Sequence, residues 1–544
     1  MKKTIIAVIL MMAVLMSLAS CAAAPNGDMA PGNMMDAEAN LNYPVAGDDE
    51  AKADALAQAA KDLADQLQSA QEQVNNGTIG SIYEHPDYGK FIENKFIKTE
   101  DAEVSTFSAD VDTASYTYFR KLVSQGYSLK EMISYAGQSV RTEEMLNYFS
   151  YDYTAPADGQ LFGVNSFITK CPWNSEAVLL TLGMRADDAI PSAGNNLVFL
   201  IDVSGSMRSS DKLELLKKAF TYLTEQLTEK DTVSIVTYSG KEAVVLTGCP
   251  GNKTQKILSA VRNLEASGST NGQAGLEKAY SLAADYFIEG GNNRIIMASD
   301  GDLNVGISSA DELKKFVETK RDQGIYLSVL GFGTGNYRDS NMEALADNGN
   351  GVYYYIDGEA EAEKIFGQDL LGTLYTVAED VKLQITFDKT FVDSYRLVGY
   401  ENRLLEKEDF EDDTKDAGDV GAGHTVTVCY ELILTEAAES AISRTGEDAV
   451  AEQQQWLSLA VRHKAPGENE SQLNEYSIGN EQFGDASDDV KFMCAVIETA
   501  MLLHESEYLV DISLENIISS LDELDLSDDI YKEEFRELLK KLAK

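Results

Sequence analysis

Three separated stretches of the chain carry oxygen donors of the kind that bind hard cations. Asp202, Ser204 and Ser206 stand at i, i+2 and i+4 in Asp202-Val203-Ser204-Gly205-Ser206, directly after the wholly apolar run Leu197-Val198-Phe199-Leu200-Ile201. One carboxylate and two hydroxyls suit a divalent ion such as Mg²⁺, which prefers six oxygens in near-octahedral geometry and keeps several waters. Three protein oxygens are too few, so further ligands must come from other loops. Two candidates stand at the ends of predicted elements: Thr270 in Gly268-Ser269-Thr270-Asn271-Gly272, and Asp300 in Ile296-Met297-Ala298-Ser299-Asp300-Gly301. Gly205 is expected to permit the sharp turn that points the first three inward.

A second constellation offers different chemistry. Asp110-Val111-Asp112-Thr113 fits the Asp-x-Asp-x-Thr nucleophile loop of haloacid-dehalogenase-type phosphatases, with Asp110 and Asp112 as the working carboxylates. Its context argues against that reading. Val104 to Ala109 makes a weak buried strand, with Ser105, Thr106 and Ser108 inside it. No Gly-Asp-x-x-x-Asp follows either, since the fourth residue after Asp302 is Gly306. Gly331-Phe332-Gly333-Thr334-Gly335-Asn336 lacks the third glycine and the later acidic residue of a dinucleotide fingerprint, and reads as a strand-to-loop turn. Asp300, Asp302 and Asn304 open like an EF-hand, but Val305 stands where the bend needs glycine and Asp311 where the twelfth ligand belongs. The acidic run from Glu411 to Asp419 reads as solvated charge rather than a Ca²⁺ loop. There is no Gly-x-Ser-x-Gly, and His85, His424, His463 and His504 sit in unrelated contexts without a paired nucleophile.

The elements that must position these donors alternate in type. Short apolar runs at Leu197–Val203, Thr232–Tyr238, Arg294–Ala298 and Tyr326–Phe332 are interleaved with amphipathic stretches at Lys212–Leu227, Gly272–Phe287 and Asp311–Arg321. That alternation predicts a doubly wound, mostly parallel α/β sheet over residues 191–372. In such sheets, loops beyond the carboxyl ends of the strands converge on ligands, and Asp202 and Asp300 fall there. Residues 81–190 read as a folded unit of mixed type with a helix at Thr142–Phe149. Residues 373–544 read as a β-rich unit with a helical end. Val381, Leu383, Ile385 and Phe387 alternate with polar residues there, as do Val426, Val428, Tyr430 and Leu432, so these strands are expected to be half-buried. Helices are expected over Ser487–His504 and Leu514–Leu542, the first with Val490, Met493, Val496, Ile497, Ala500 and Met501 on one face.

The set Asp-x-Ser-x-Ser, later Thr, later Ser-Asp-Gly resembles the metal-ion-dependent adhesion site (MIDAS) of von Willebrand factor type A (VWA) domains, residue by residue. Asn195 to Ser206, Gly290 to Arg294, Ser299 to Gly306 and Gly331 to Tyr337 look like the bacterial VWA lipoproteins of the YfbK type. Asp110 to Tyr116 and Gly399 to Arg403 resemble the parts that flank the VWA domain in that group, so the resemblance covers most of the chain after about residue 90. It implies Ser204, Ser206 and Thr270 as direct metal ligands, and Asp202 and Asp300 as mainly water-mediated ones. The implied ion is Mg²⁺, with Mn²⁺ or Ca²⁺ as substitutes. The implied function is metal-dependent protein binding, in which a partner's carboxylate completes the coordination, and not catalysis.

Whole-chain features bound this reading. With 90 acidic against 45 basic residues the 544-residue chain carries a formal net charge of -45, a field that repels nucleic acid and anionic membrane surfaces. Lys2 and Lys3, the apolar stretch Ile5 to Met16 and Leu18-Ala19-Ser20-Cys21 resemble a lipoprotein signal, with residues 1–20 removed and Cys21 lipidated. An exported, membrane-anchored cell-envelope protein is therefore expected. Residues 21–80 are expected to form a tether, with a helical spacer through Leu56, Ala60, Leu63, Leu67, Ala70 and Val74. Cys171, Cys249, Cys429 and Cys494 show no CxxC spacing and are not expected to form a disulfide framework; Cys429, in an apolar strand-like run, and Cys494, in a helix-like one, are expected to be buried hydrophobes. A structural envelope protein with an unused metal site is the remaining alternative.

Overall fold

The apolar run before Asp202 has no polar residue to turn toward water, so it must be covered on both faces. In the computed structural model it forms the strand Asn195–Asp202, buried along its whole length. The structure describes residues 91–544 except 138, 189–192, 269–271, 302–309, 334–338 and 443–453. The leader, Cys21 and the tether with its helical spacer lie outside the described residues, as do His85, Thr270, Asp302 and Asn304.

Around this strand lies a six-stranded sheet in the order Tyr353–Ile356, Tyr326–Phe332, Asn292–Ser299, Asn195–Asp202, Thr232–Tyr238, Glu242–Pro250. The first five run parallel and the last is an antiparallel edge. Alternate side chains of the central strand serve opposite faces. Leu197, Phe199 and Ile201 pack with Leu216, Phe220 and Leu223 of the helix Leu213–Gln226. Val198 and Leu200 pack with Leu276, Ala279 and Val317 of the helices Gly272–Asp285 and Ala310–Arg321. This is the doubly wound α/β arrangement, and it sends every parallel strand's carboxyl end to one edge.

The segments before and after this sheet are built together. One antiparallel sheet runs Ile97–Lys98, Val392–Val398, Thr425–Leu434, Val178–Ala186, Phe162–Lys170. In another, Thr376–Phe387 pairs with Gln455–Lys464 and Gly418–Gly421, and also with Val104–Ser108. Strands from residues near 100 and 180 thus hydrogen-bond strands from beyond 375. Buried Arg294 ties the central sheet to this layer, donating to Leu374 O at 3.2 Å, Ser328 Oγ at 2.7 Å and Thr376 Oγ1 at 2.9 Å.

The strand Thr425–Leu434 departs from the half-buried expectation. Val426, Val428, Tyr430 and Leu432 are buried, but so are Thr427, Cys429 and Glu431, because the helix Asp488–His504 covers the second face. Glu431 is accommodated there by Arg396, whose Nε donates to its carboxylate at 2.6 Å. That helix is in turn buried nearly all round rather than along one stripe, with Phe492, Cys494, Ala495 and Thr499 also inside. The expected Leu514–Leu542 helix is two helices, Leu514–Asp522 and Ile530–Leu542. Asp529 starts the second by accepting the backbone N–H groups of Tyr531 and Lys532, both at 3.0 Å. Cys171, Cys249, Cys429 and Cys494 are all buried and unbonded to one another.

Candidate metal centre

Parallel pairing decides where Asp202 and Asp300 fall. Ile201 is in register with Ala298, so the two chains leave the sheet side by side, one into Asp202 and the other into Ser299-Asp300. Asp202 is fully buried, with Oδ1 accepting the Ser204 N–H at 2.7 Å and Oδ2 the Ser299 hydroxyl at 3.4 Å. Burial pushes its carboxyl up to about 6, only partly offset by the Ser204 bonds. Ser204 Oγ lies 2.8 Å from Ser206 Oγ, so the two hydroxyl oxygens are presented as a pair. Asp300 is 2% exposed; its Oδ2 accepts from Lys212 Nζ at 2.8 Å, while its Oδ1 is buried with no protein partner.

The loop that leads to Thr270 reaches the same edge. Ser267 N donates to Val203 O at 2.7 Å and Gly205 N to Gly268 O at 3.0 Å. Thr270 itself lies outside the described residues, so the structure brings together Asp202, Ser204, Ser206 and Asp300 of the five predicted residues. Gly205 does not act as expected. It is not in the left-handed region, and a Cβ there would stand 3.4 Å from Gly268 O, an ordinary contact. The turn is made instead by the 3-10 helix Gly205–Arg208, a backbone form open to other residues. Left-handed backbone occurs nearby at Gly268 and Gly301.

The donor set fits a small hard cation. Its protein atoms are hydroxyl and carboxylate oxygens, and one of them, Asp300 Oδ1, is a buried acceptor without a donor, which needs an explanation. Among the described residues no cluster of three or more His, Cys, Asp or Glu side chains has metal-holding geometry, so hydroxyls would have to share the coordination. Lysines reach backbone carbonyls of the acidic run from Glu411 to Asp419: Lys382 Nζ donates to Asp412 O and Lys464 Nζ to Asp413 O.

Asp110 and Asp112 are placed elsewhere and used differently. Both are buried, and Arg403 reaches both, with Nε 3.3 Å from Asp110 Oδ2 and Nη2 3.4 Å from Asp112 Oδ2. The remaining oxygens accept backbone N–H groups, Asp110 Oδ1 from Asp112 at 2.9 Å and Asp112 Oδ1 from Tyr353 at 3.2 Å. All four carboxylate oxygens are engaged inside the protein, leaving neither residue poised as a nucleophile. Burial and the adjacent Asp110 also hold the Asp112 carboxyl well above its usual range. The three described histidines are bound into the fold. His504 Nε2 lies 2.8 Å from Val140 O, His463 Nε2 3.2 Å from Asn474 Oδ1, and His424 Nε2 3.4 Å from the Tyr354 hydroxyl. Burial pushes His424 and His504 down to about 4.

Known families match in three consecutive stretches: von Willebrand factor over residues 83–181, von Willebrand factor type A domain over 196–368, and the C-terminal part of uncharacterized protein YfbK over 372–544. Uncharacterized protein YfbK of Escherichia coli strain K12 is 38% identical over 446 residues, covering 79% of this chain and 76% of that one. The chain belongs to the YfbK family of von Willebrand factor type A proteins. Human inter-alpha-trypsin inhibitor heavy chain H3 is 29% identical over 270 residues, 46% of this chain and 30% of that one. Among solved structures, a von Willebrand factor type A protein from Catenulispora acidiphila superposes at a TM-score of 0.40 with 14% identity, covering 70% of this chain and 90% of that one. The VWA stretch of this YfbK-family chain coincides with the six-stranded sheet and carries the oxygen cluster at its carboxyl edge.

Proposed function

We propose that this protein is a lipid-anchored envelope protein whose VWA domain holds a divalent cation and binds another protein through it. The observation that carries the reading is the set of oxygens at one sheet edge: the Ser204–Ser206 hydroxyl pair at 2.8 Å, buried Asp202 beside them, and the unpartnered Oδ1 of Asp300. Ser204, Ser206 and Thr270 would ligate Mg²⁺ directly, with Mn²⁺ or Ca²⁺ able to replace it, and Asp202 and Asp300 would act mainly through bound water. The ion supplies Lewis acidity toward an anionic group of the partner, such as a carboxylate. The protein's part is to orient: Asp202 holds the Ser204 N–H, and Ser299 holds Asp202. No step of catalysis is assigned to the chain, since the carboxylates of the rival nucleophile loop are bound up with Arg403.

The anchor is Cys21, lipidated after removal of residues 1–20, which would leave the described residues outside the cytoplasm. The test has two arms. Thermal melting of the purified chain with and without millimolar Mg²⁺ should show stabilisation that is lost in Asp202→Ala plus Ser204→Ala, with the mutant still folded. Capture from the native envelope should then be lost with chelator and with the same mutant. No metal-dependent shift in the wild type would overturn the metal reading, and a wild-type chain that incorporates no labelled fatty acid, or a Cys21→Ser chain that incorporates it equally, would overturn the anchor.

A further inference from the structure

A charged side chain outside the five residues reaches the Asp300 carboxylate. Lys212, immediately before the helix Leu213–Gln226, turns its ammonium back across the strand ends. Its Nζ donates to Asp300 Oδ2 at 2.8 Å and to the Ser206 carbonyl oxygen at 3.1 Å. The lysine side chain is 13% exposed and that of Asp300 2%, so this is a largely buried ion pair and not a surface contact. The fold makes room for it. The aliphatic stem lies over Gly333, where an added Cβ would stand 2.1 Å from Lys212 Cε and 3.0 Å from Cδ. Gly333 has a left-handed φ of 78° and its carbonyl accepts the Tyr355 hydroxyl at 2.5 Å, which fixes the backbone under the stem. Lys121, from the helix Ala114–Ser124, pairs at 3.4 Å with Asp211, the residue before Lys212 in the chain.

We propose that Lys212 is a tethered cation of the metal centre that holds Asp300 by one oxygen and lowers the affinity of the site for divalent ions. The inference rests on the metal-site reading above. A lysine ammonium that already shares the Asp300 carboxylate repels an incoming dication and takes up part of the negative charge that would hold it. Lys212 offsets one of the two formal negative charges that Asp202 and Asp300 bring to the cluster. An ion is then bound loosely enough to exchange, instead of being sequestered.

Isothermal titration of the purified chain with MnCl₂ at neutral pH tests this. Lys212→Met keeps the stem over Gly333 and removes the charge. It is expected to bind Mn²⁺ with the stoichiometry of the wild type and at least roughly tenfold more tightly. Lys212→Arg keeps the charge and is expected to retain the weaker wild-type affinity. Lys212→Gln serves if Lys212→Met does not fold, and is expected to tighten binding in the same direction. Equal or weaker affinity in a folded, uncharged variant would overturn the proposal while leaving the metal site standing. If neither wild type nor Lys212→Met gives binding heat that Asp202→Ala removes, the metal reading fails and this proposal with it.

Discussion

Replacing Arg403 by Met should destabilise the protein without touching the metal centre. The guanidinium sits among three carboxylates, 3.3 Å from Asp110, 3.4 Å from Asp112 and 3.2 Å from Asp347. Asp347 is 38% exposed at its side chain, so water screens it and its loss counts for about 0–1 kcal/mol. Asp110 and Asp112 are buried at 2% and 7%. Removing one member of a buried ion pair costs about 3–5 kcal/mol, because the other is left uncompensated. Asp112 takes up a proton readily, since burial already raises its carboxyl, so the two aspartates do not cost twice that sum. The expected loss is therefore about 3–5 kcal/mol near pH 8, shrinking as the pH falls and a proton replaces the missing cation. Guanidinium denaturation of wild type and Arg403→Met at pH 8 and pH 5 measures both quantities, and Arg403→Met combined with Asp112→Asn should recover part of the loss. A deficit under about 1 kcal/mol, or one that does not change with pH, would refute the view that these aspartates are structural pins.

Three further outcomes are expected. Glu143, buried with Oε2 on the Tyr400 N–H at 2.9 Å, is pushed up to about 8 by burial and by neighbouring Glu401, so the stability its proton supplies is present below about pH 4.5 and lost as pH rises through about 8. Melting temperatures between pH 5 and pH 9 should accordingly fall more steeply for wild type than for Glu143→Gln, and parallel curves would contradict this. Asp529→Ala removes the cap of the last helix and should cost about 1 kcal/mol in chemical denaturation, with no loss if the cap is idle. A chain ending at residue 371 strips Val178–Ala186 of its partner Thr425–Leu434, so hydrogen exchange across residues 162–186 should become fast, whereas protection unchanged from the full chain would show the N-terminal flank to be self-sufficient.

Sequence patterns revealed the parts of the fold whose signal is local. The continuous apolar run before Asp202 reads as a strand covered on both sides, and Thr232–Tyr238 and Tyr326–Phe332 are legible end to end as short apolar-rich runs between amphipathic stretches. The edge strand Glu242–Pro250 escaped notice because its first four residues face solvent and its apolar residues follow no inward period. Tyr353–Ile356 is four residues long and mostly tyrosine, too short to show a period. The pairing of the two flanks is a contact across some 250 residues of sequence, as with Thr425 and Arg185, and local pattern carries no information on it.

The candidate site divides in the same way. Asp202, Ser204, Ser206 and Asp300 were legible because a donor loop at a strand end is a local pattern. Arg403, which pairs with Asp110, lies 293 residues away and could not be inferred from the motif it contacts. Lys212 was missed because a lysine at the start of an amphipathic helix ordinarily faces water. Only the closeness of Gly333 and Asp300 in space gives it another role.

Anomalous diffraction from a crystal soaked in MnCl₂ would test the metal centre most directly. A single strong peak is predicted at the carboxyl edge of the parallel sheet, roughly 2.1 Å from the hydroxyl oxygens of Ser204 and Ser206, and absent in crystals of the Asp202→Ala, Ser204→Ala double mutant. A peak among other residues, or none at that edge, would contradict it.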